Sequence, residues 1–267
     1  MPELAEVEYY RRQWDAGLTR RIKAVHLHPD KRIFRGSDTR ALKRTLTESR
    51  LLRSTARGKQ MLFVFSGGGW LGLHLGMSGT LRAEPARFRP GKHDHLVLQQ
   101  AKGALVFRDP RQFGRVRFHT GKTEPSWWSA SAPEITSGEF SPAYLTEFLR
   151  RHRRAPIKAV LLLQTGFPGV GNWMADEILW RAGISPATRS GDLNARQQSA
   201  LHRGTRFVAR EALRIIGPAF ADPPRSWLIH QRWKPGGICP RHRTPLARAA
   251  IGGRTTAWCA KCQPARR

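Results

Sequence analysis

Cys239 and His242 stand two residues apart, Cys259 and Cys262 likewise, with sixteen residues between the pairs. A pair at this spacing brings two ligand atoms onto one ion, and three thiols with an imidazole suit tetrahedral zinc. Four protein ligands leave no open coordination position, so one structural Zn2+ is expected. These are the only cysteines in the chain. An odd number clustered at one end fits metal ligation and not a disulfide framework. The segment 235–263 is rich in Gly, Pro and Cys and too short for a core of its own, so it needs such a staple. Between the pairs, Ile251-Gly252-Gly253-Arg254 reads as a hairpin tip presenting Arg254, suited to a phosphate or a base edge.

Upstream the chain changes character once. Residues 3–18 place Leu4, Val7, Trp14 and Leu18 at helical spacing. Short β-rich runs follow at 21–28, 51–54, 60–65, 70–75, 93–100, 104–108 and 115–119, with Gly67-Gly68-Gly69 and Lys102-Gly103 as turns and a helical insert near 39–48. Many short strands between turn signals predict a sandwich or a barrel. Near 120–140 the composition shifts to Thr, Ser, Pro, Gly and Glu, which predicts a linker. Helices are expected around 144–149, over 157–163, from Asn172, and over 191–216. Ser190 or Asp192 signals the start of the last, and Gly217-Pro218 its end.

Composition bears on the partner. Lys and Arg outnumber Asp and Glu by 47 to 19, a formal net charge of +28. The natural counter-charge is a phosphate backbone. The basic residues are spread through the chain instead of forming one amphipathic segment, which argues against a membrane surface. No stretch approaches ~20 apolar residues and no charged-then-apolar leader opens the chain, so a soluble, cytoplasmic protein is expected.

Further stretches carry chemistry. Loss of Met1 would leave Pro2 as a secondary amine, titrating near ~8, whose attack on a sugar carbon gives an iminium. Glu3 can pass protons to and from the same sugar. Taken alone, a Pro beside a Glu more often just begins a helix. Gly166-Phe167-Pro168-Gly169-Val170-Gly171-Asn172 precedes a helix whose first N–H groups attract an anion, with the Asn172 amide aimed at the same phosphate. The competing reading is an ordinary Asn cap. His74-Leu75-Gly76-Met77-Ser78-Gly79 forms a turn, where Met77 is either core filler or exposed. With Arg111 and Phe113 of Asp109-Pro110-Arg111-Gln112-Phe113-Gly114 it makes an apolar wedge, an arginine and an aromatic on two loops, able to fill the hole left by an extruded base. Lys59, in Ala56-Arg57-Gly58-Lys59, reads on its own as a solvated turn lysine. His93 and His95 share one strand face, as a metal pair or as satisfied strand histidines with one phosphate contact.

Together the opening PELAEVE, the blocks HLGMSG, KHDH, DPRQFG and GVGN, and the terminal metal hairpin resemble the formamidopyrimidine-DNA glycosylase/endonuclease VIII family, the former branch being nearest in the opening motif. The resemblance runs from Pro2 to Cys262 and is poor at 120–140 and 218–236. It implies an α+β fold: a β-sandwich domain with flanking helices over 1–122, a linker over 123–140, a helix–two-turn–helix domain over 141–234 and a zinc hairpin over 235–267, with DNA in a positive cleft. The implied activity is that of a bifunctional DNA glycosylase and AP lyase of base excision repair. It would act as a monomer on double-stranded DNA holding damaged bases or abasic sites, in a bacterial-type, nucleoid-associated setting. By the same resemblance Pro2 is the Schiff-base nucleophile, Glu3 handles protons at the deoxyribose, Glu6 supports that site, and β,δ-elimination cuts the strand. Lys59, at the catalytic site, grips the flanking phosphates with His74, Asn172 and Arg254, and His93 is a further DNA contact. Met77, Arg111 and Phe113 match the triad that enters the void, Arg111 facing the orphaned base.

The departures are specific. Ala5 replaces a usual proline, His242 a cysteine, Gln112 a second arginine, Trp173-Met174 an Ile-Tyr, and Leu163 an aspartate. Only about twenty residues lie between Gly217 and Cys239, where guanine-type members carry a longer loop over the flipped purine. The expected substrates are therefore formamidopyrimidines and oxidised pyrimidines, with 8-oxoguanine a weak one. A non-catalytic, zinc-dependent DNA-binding protein and an RNA-associated zinc protein are the competing classes. Neither accounts for Pro2-Glu3 together with the void-filling loops.

Overall fold

Over residues 60–65, Met61, Phe63 and Phe65 alternate with Leu62 and Val64, and the pleat of a strand sends the two sets to opposite faces. The computed structural model, which describes residues 1–265, shows both faces buried. The fold is α+β, in two units: Met1–Pro2 with Glu6–Ser131, and Glu3–Ala5 with the chain from Ala132 on. The first unit takes in α1 (Leu4–Gln13) from Glu6 on, then β1 (Ile22–Leu27), α2 (Thr39–Leu46), β2 (Leu51–Arg57), β3 (Gln60–Phe65), β4 (Gly69–His74), β5 (Thr80–Glu84), β6 (Asp94–Gln100), β7 (Gly103–Arg108), β8 (Arg115–Thr120) and α3 (Ser126–Ser129). Its strands form two antiparallel sheets, ordered β1-β6-β7-β5 and β2-β3-β4-β8.

Phe63, Phe65, Leu71, Leu98 and Phe107 meet Trp14 in one core between the sheets. The Trp14 and Phe63 rings lie 4.7 Å apart. The other face of β3 is covered as well, because Leu62, Val64 and Trp70 pack under Trp127 and Trp128. The stretch 123–140 thus carries buried side chains. At Gly72 an added Cβ would lie 2.4 Å from the Trp127 ring, while Ile135 and Phe140 enter the core of the second unit. No alternation announces β5, because only Leu81 of its five residues is buried.

The second unit comprises α4 (Pro142–Arg151), α5 (Ile157–Leu161), α6 (Asn172–Ala182), α7 (Ala195–Ala219), α8 (Ile229–Arg232), β9 (Ala247–Ile251) and β10 (Arg254–Trp258). Phe148, Phe167, Met174, Ile178, Val208 and Ile216 form its core with Leu4 and Ala5. α7 begins after the Ser190/Asp192 signal because Asn194 and Gln197 make a reciprocal capping box. It also runs through Pro218 and stops where Phe220 turns left-handed, at φ 55. A proline in a last turn forfeits one backbone hydrogen bond at an end that frays anyway. No described helix is long and apolar enough to cross a membrane.

Candidate active site and nucleic-acid contacts

Glu3 is only 3% exposed, and its carboxylate is fully engaged. Oε2 accepts the N–H groups of Gly171 (2.9 Å) and Met174 (3.1 Å), and Oε1 that of Trp173 (3.0 Å). These donors belong to the start of α6, which has no intrahelical partners for them and whose dipole favours an anion. The geometry requires Gly171, because a Cβ there would lie 2.2 Å from the Glu3 Cδ. The next residue is pinned too, Leu4 N–H donating to the Gly169 carbonyl at 3.0 Å. The GVGN motif reads as a phosphate cradle; in the structure its Gly171 N–H, with those of Trp173 and Met174 just beyond it, holds the chain's own carboxylate. Pro2 directly precedes Glu3 and is partly exposed, as is Glu6 in the first turn of α1.

Lys59 follows Gly58 (φ 58) in the two-residue turn joining β2 to β3. At 7% exposure it is not the solvated lysine that its motif suggests. His74 ends β4, and its Nδ1 accepts the Gly76 N–H at 3.0 Å, which leaves the ring proton on Nε2. Burial, then the charges of Lys59, Arg35 and Arg117, push the imidazole down to about 4. His74 is therefore a neutral donor at pH 7. Burial and mutual repulsion with Arg115 also hold Arg35 and Arg117 below the ordinary guanidinium range. Cations pressed together in this way form an anion site. The sequence reading missed all three arginines; the available signal was Arg115-Val116-Arg117, two cations on one strand face.

Met77 and Phe113 are each 44% exposed, so Met77 is no core filler. The Arg111 guanidinium lies 4.7 Å from the centre of the Phe113 ring. The two loops touch through their backbones, since a Cβ on Gly76 would lie 2.4 Å from the Phe113 carbonyl carbon. Gln112 sits between them in the left-handed region at φ 54. His93 is partly exposed, and its carbonyl accepts the Asp109 N–H at 3.0 Å. His95 is buried, its Nε2 3.0 Å from the Asp109 carbonyl and its Nδ1 3.4 Å from Nδ1 of His28.

Asn172 opens α6, and its Nδ2 donates to the Thr255 carbonyl at 2.9 Å. Arg254 is exposed at the start of β10, just past the Gly252-Gly253 turn (φ 62 and 70), which has the positive angles of a tight hairpin. Behind them runs a buried charge network that no motif announces. Lys158 Nζ donates to the Asn172 carbonyl (2.8 Å) and to Asp176 Oδ1 (2.5 Å). Asp176 Oδ2 accepts from Arg232 Nε (2.9 Å), Arg232 Nη2 (2.6 Å) and the Ala257 N–H (3.1 Å). Burial pushes Lys158 down, and Asp176 opposes the shift. Asp176 thereby ties α5, α6, α8 and β10 together.

The donor atoms of Cys239, His242, Cys259 and Cys262 lie within 4.8 Å of one another. The Cys239 and Cys262 sulfurs are 3.7 Å apart, and Cys262 Sγ is 3.2 Å from His242 Nδ1. Burial and the neighbouring thiols push Cys262 up to about 12. Three thiolates share this space only around a cation, so the donor set fits a divalent metal.

A two-sheet sandwich followed by a helical unit whose terminal hairpin carries a four-residue donor set defines an α+β class of two-unit proteins. Residues 1–116 match the formamidopyrimidine-DNA glycosylase N-terminal domain, and residues 131–220 the H2TH domain of the same enzyme. The formamidopyrimidine-DNA glycosylase of Roseiflexus sp. is 38% identical over 229 residues, covering 82% of this chain and 84% of its own. That of Geobacter metallireducens is 36% identical over 274 residues, covering 98% and 100%. The Lactococcus lactis enzyme non-covalently bound to DNA containing an AP site superposes with a TM-score of 0.86 at 27% identity, over 98% of this chain and 100% of that one. The wild-type Lactococcus lactis enzyme with DNA containing an oxidised pyrimidine gives 0.88 at 27% identity, over 99% and 100%. The chain belongs to the formamidopyrimidine-DNA glycosylase family.

Proposed function

We propose that this chain is a bifunctional DNA glycosylase and AP lyase of base excision repair, acting on double-stranded DNA that contains oxidised bases or abasic sites. The observation that carries this reading is Glu3, seated by three backbone N–H groups immediately after the candidate nucleophile. With Met1 removed, the lone pair of the Pro2 nitrogen attacks C1′ of the damaged nucleotide. The N–C1′ bond forms as the bond to the base breaks, and the base departs with a proton. Opening of the sugar ring gives the iminium, its electron pair going to O4′, where Glu3 manages the proton. Loss of a C2′ proton then expels the 3′ phosphate, loss of the C4′ proton expels the 5′ phosphate, and addition of water at C1′ breaks the bond to nitrogen and frees Pro2.

Lys59, the neutral Nε2–H of His74, Asn172 and Arg254 grip the flanking phosphates, and Glu6 supports the sugar site. Met77, Arg111 and Phe113 fill the void left by the extruded base, with His93 as an additional contact. One zinc ion held by Cys239, His242, Cys259 and Cys262 supplies a structural staple alone. The test is cyanoborohydride reduction during turnover on an abasic-site duplex. The cross-link maps to the peptide containing Pro2, and metal analysis of the same preparation returns about one zinc per chain. A cross-link on Lys59, or one that survives an added N-terminal tag, overturns the assignment. Absence of any cross-link favours a DNA-binding protein without chemistry.

A further inference from the structure

Asp109 carries no role in the chemistry above, yet it is completely buried and every polar atom it has is engaged. Its Oδ1 accepts the Ser78 hydroxyl at 2.7 Å and the Arg111 N–H at 3.3 Å. Its Oδ2 accepts the Gly114 N–H at 2.7 Å. Its own N–H donates to the His93 carbonyl at 3.0 Å, and its carbonyl accepts from His95 Nε2 at 3.0 Å and the Gln112 N–H at 3.2 Å. Ser78 adjoins Met77, Gly114 adjoins Phe113, and Arg111 is itself a partner. Each of the four exposed or partly exposed side chains assigned to the void and its edge therefore lies on, or one residue from, a hydrogen bond to Asp109.

We propose that Asp109 is a positioning residue that locks the Met77 loop to the Arg111–Phe113 loop, so that wedge, arginine and aromatic enter the duplex as one rigid unit. The inference rests on the glycosylase reading above. Two loops bearing exposed apolar tips would otherwise be ordered separately at each encounter, and that ordering entropy would oppose opening of the base pair. A buried carboxylate that accepts three donors removes the cost beforehand. The Ser78 bond is the only one of the three that joins the carboxylate to the other loop through a side chain, so it is the bond that can be cut without disturbing the backbone turn.

The experiment compares wild type, Ser78→Ala, Ser78→Thr and Asp109→Asn under single-turnover conditions. One duplex contains a single oxidised base, another a preformed abasic site, and a third has 2-aminopurine beside the lesion to report entry of the loops. Ser78→Ala slows both the 2-aminopurine signal and lesion excision by about tenfold, the loss of one charge-assisted hydrogen bond. Cleavage at the preformed abasic site, where no base pair has to open, changes by less than about threefold on the same reasoning. Ser78→Thr, which keeps the hydroxyl, restores both rates, and Asp109→Asn is slower than Ser78→Ala. If Asp109→Asn does not fold, the two Ser78 variants decide. Wild-type excision with Ser78→Ala unchanged, or with excision and abasic cleavage reduced equally, overturns the clamp alone. A wild type that excises no lesion overturns the glycosylase reading and the clamp with it.

Discussion

Gly171 leaves no volume for a side chain, and the atom it would strike is the Glu3 carboxyl carbon, 2.2 Å from an added Cβ. Gly171→Ala therefore unseats Glu3 while leaving the residue itself in place. Excision in a single turnover falls by about 100-fold or more, the usual weight of a positioned proton carrier; retention within tenfold of wild type would show that the seat does not matter. His74 yields a prediction in pH. Its folded value of about 4 lies below the ordinary 6.5, so between those limits the unfolded chain binds the extra proton. His74 thus leaves stability untouched above pH 6.5 and subtracts from it as pH falls toward 4, by at most about 3 kcal/mol. Urea unfolding of His74→Gln follows a shallower acid limb across that window, and an identical slope rules the effect out. The Cys239, His242, Cys259 and Cys262 set was legible because its spacing is its signature, whereas Pro2 and Glu3 stood out only through the family resemblance of the opening motif. The burial of Lys59, the arginines around His74 and the occupant of the GVGN turn were not legible, because each depends on a partner distant in sequence.

Among the elements, β3 could be read to the residue, since its alternation is complete and both of its faces are apolar. β5 could not, with a single buried position, and neither could α3, where two tryptophans lie among linker-like residues. The network around Asp176 is the element-scale counterpart: a lysine, an aspartate and an arginine that look like solvated helix faces until the helices pack. Asp176→Asn leaves Lys158 and Arg232 buried without their shared anion. Breaking a buried ion pair from one side costs roughly 3–5 kcal/mol, so a large fall in the urea midpoint is expected. Because Asp176 also holds the Ala257 N–H of β10, hydrogen exchange there should quicken in the same variant. A loss under about 1 kcal/mol would mean that water already compensates these charges.

At the scale of the whole molecule, the charge of +28 points to a polyanionic partner but not to which damage is recognised. That depends on how much chain is available to close over a flipped base, and part of the interval after α7 is committed to packing within the second unit. Phe220 terminates the helix at φ 55. Trp227 packs 6.3 Å from Trp173 and 6.4 Å from Phe207. The Leu228 N–H donates to Glu177 Oε2 at 2.7 Å, and α8 follows at once, delivering Arg232 to Asp176. Even within the remaining 220–226, the Pro223 carbonyl accepts from His230 Nε2 at 2.7 Å. What stays exposed in the interval comes in short stretches, 220–222, 224–226 and 233–236, which is little chain to form a cover. Selectivity for a large flipped purine needs contacts to its edge and closure over it, whereas ring-opened and oxidised pyrimidine lesions pair weakly and are extruded at lower cost. The expected order in single-turnover assays is therefore formamidopyrimidine and oxidised-pyrimidine duplexes ahead of 8-oxoguanine opposite cytosine. The exposed set of Met77, Arg111 and Phe113 works against that order, because the resemblance places these residues with the guanine-repair type of void filler. Excision of 8-oxoguanine as fast as the other lesions would mean that void filling, and not a covering loop, governs what this enzyme accepts.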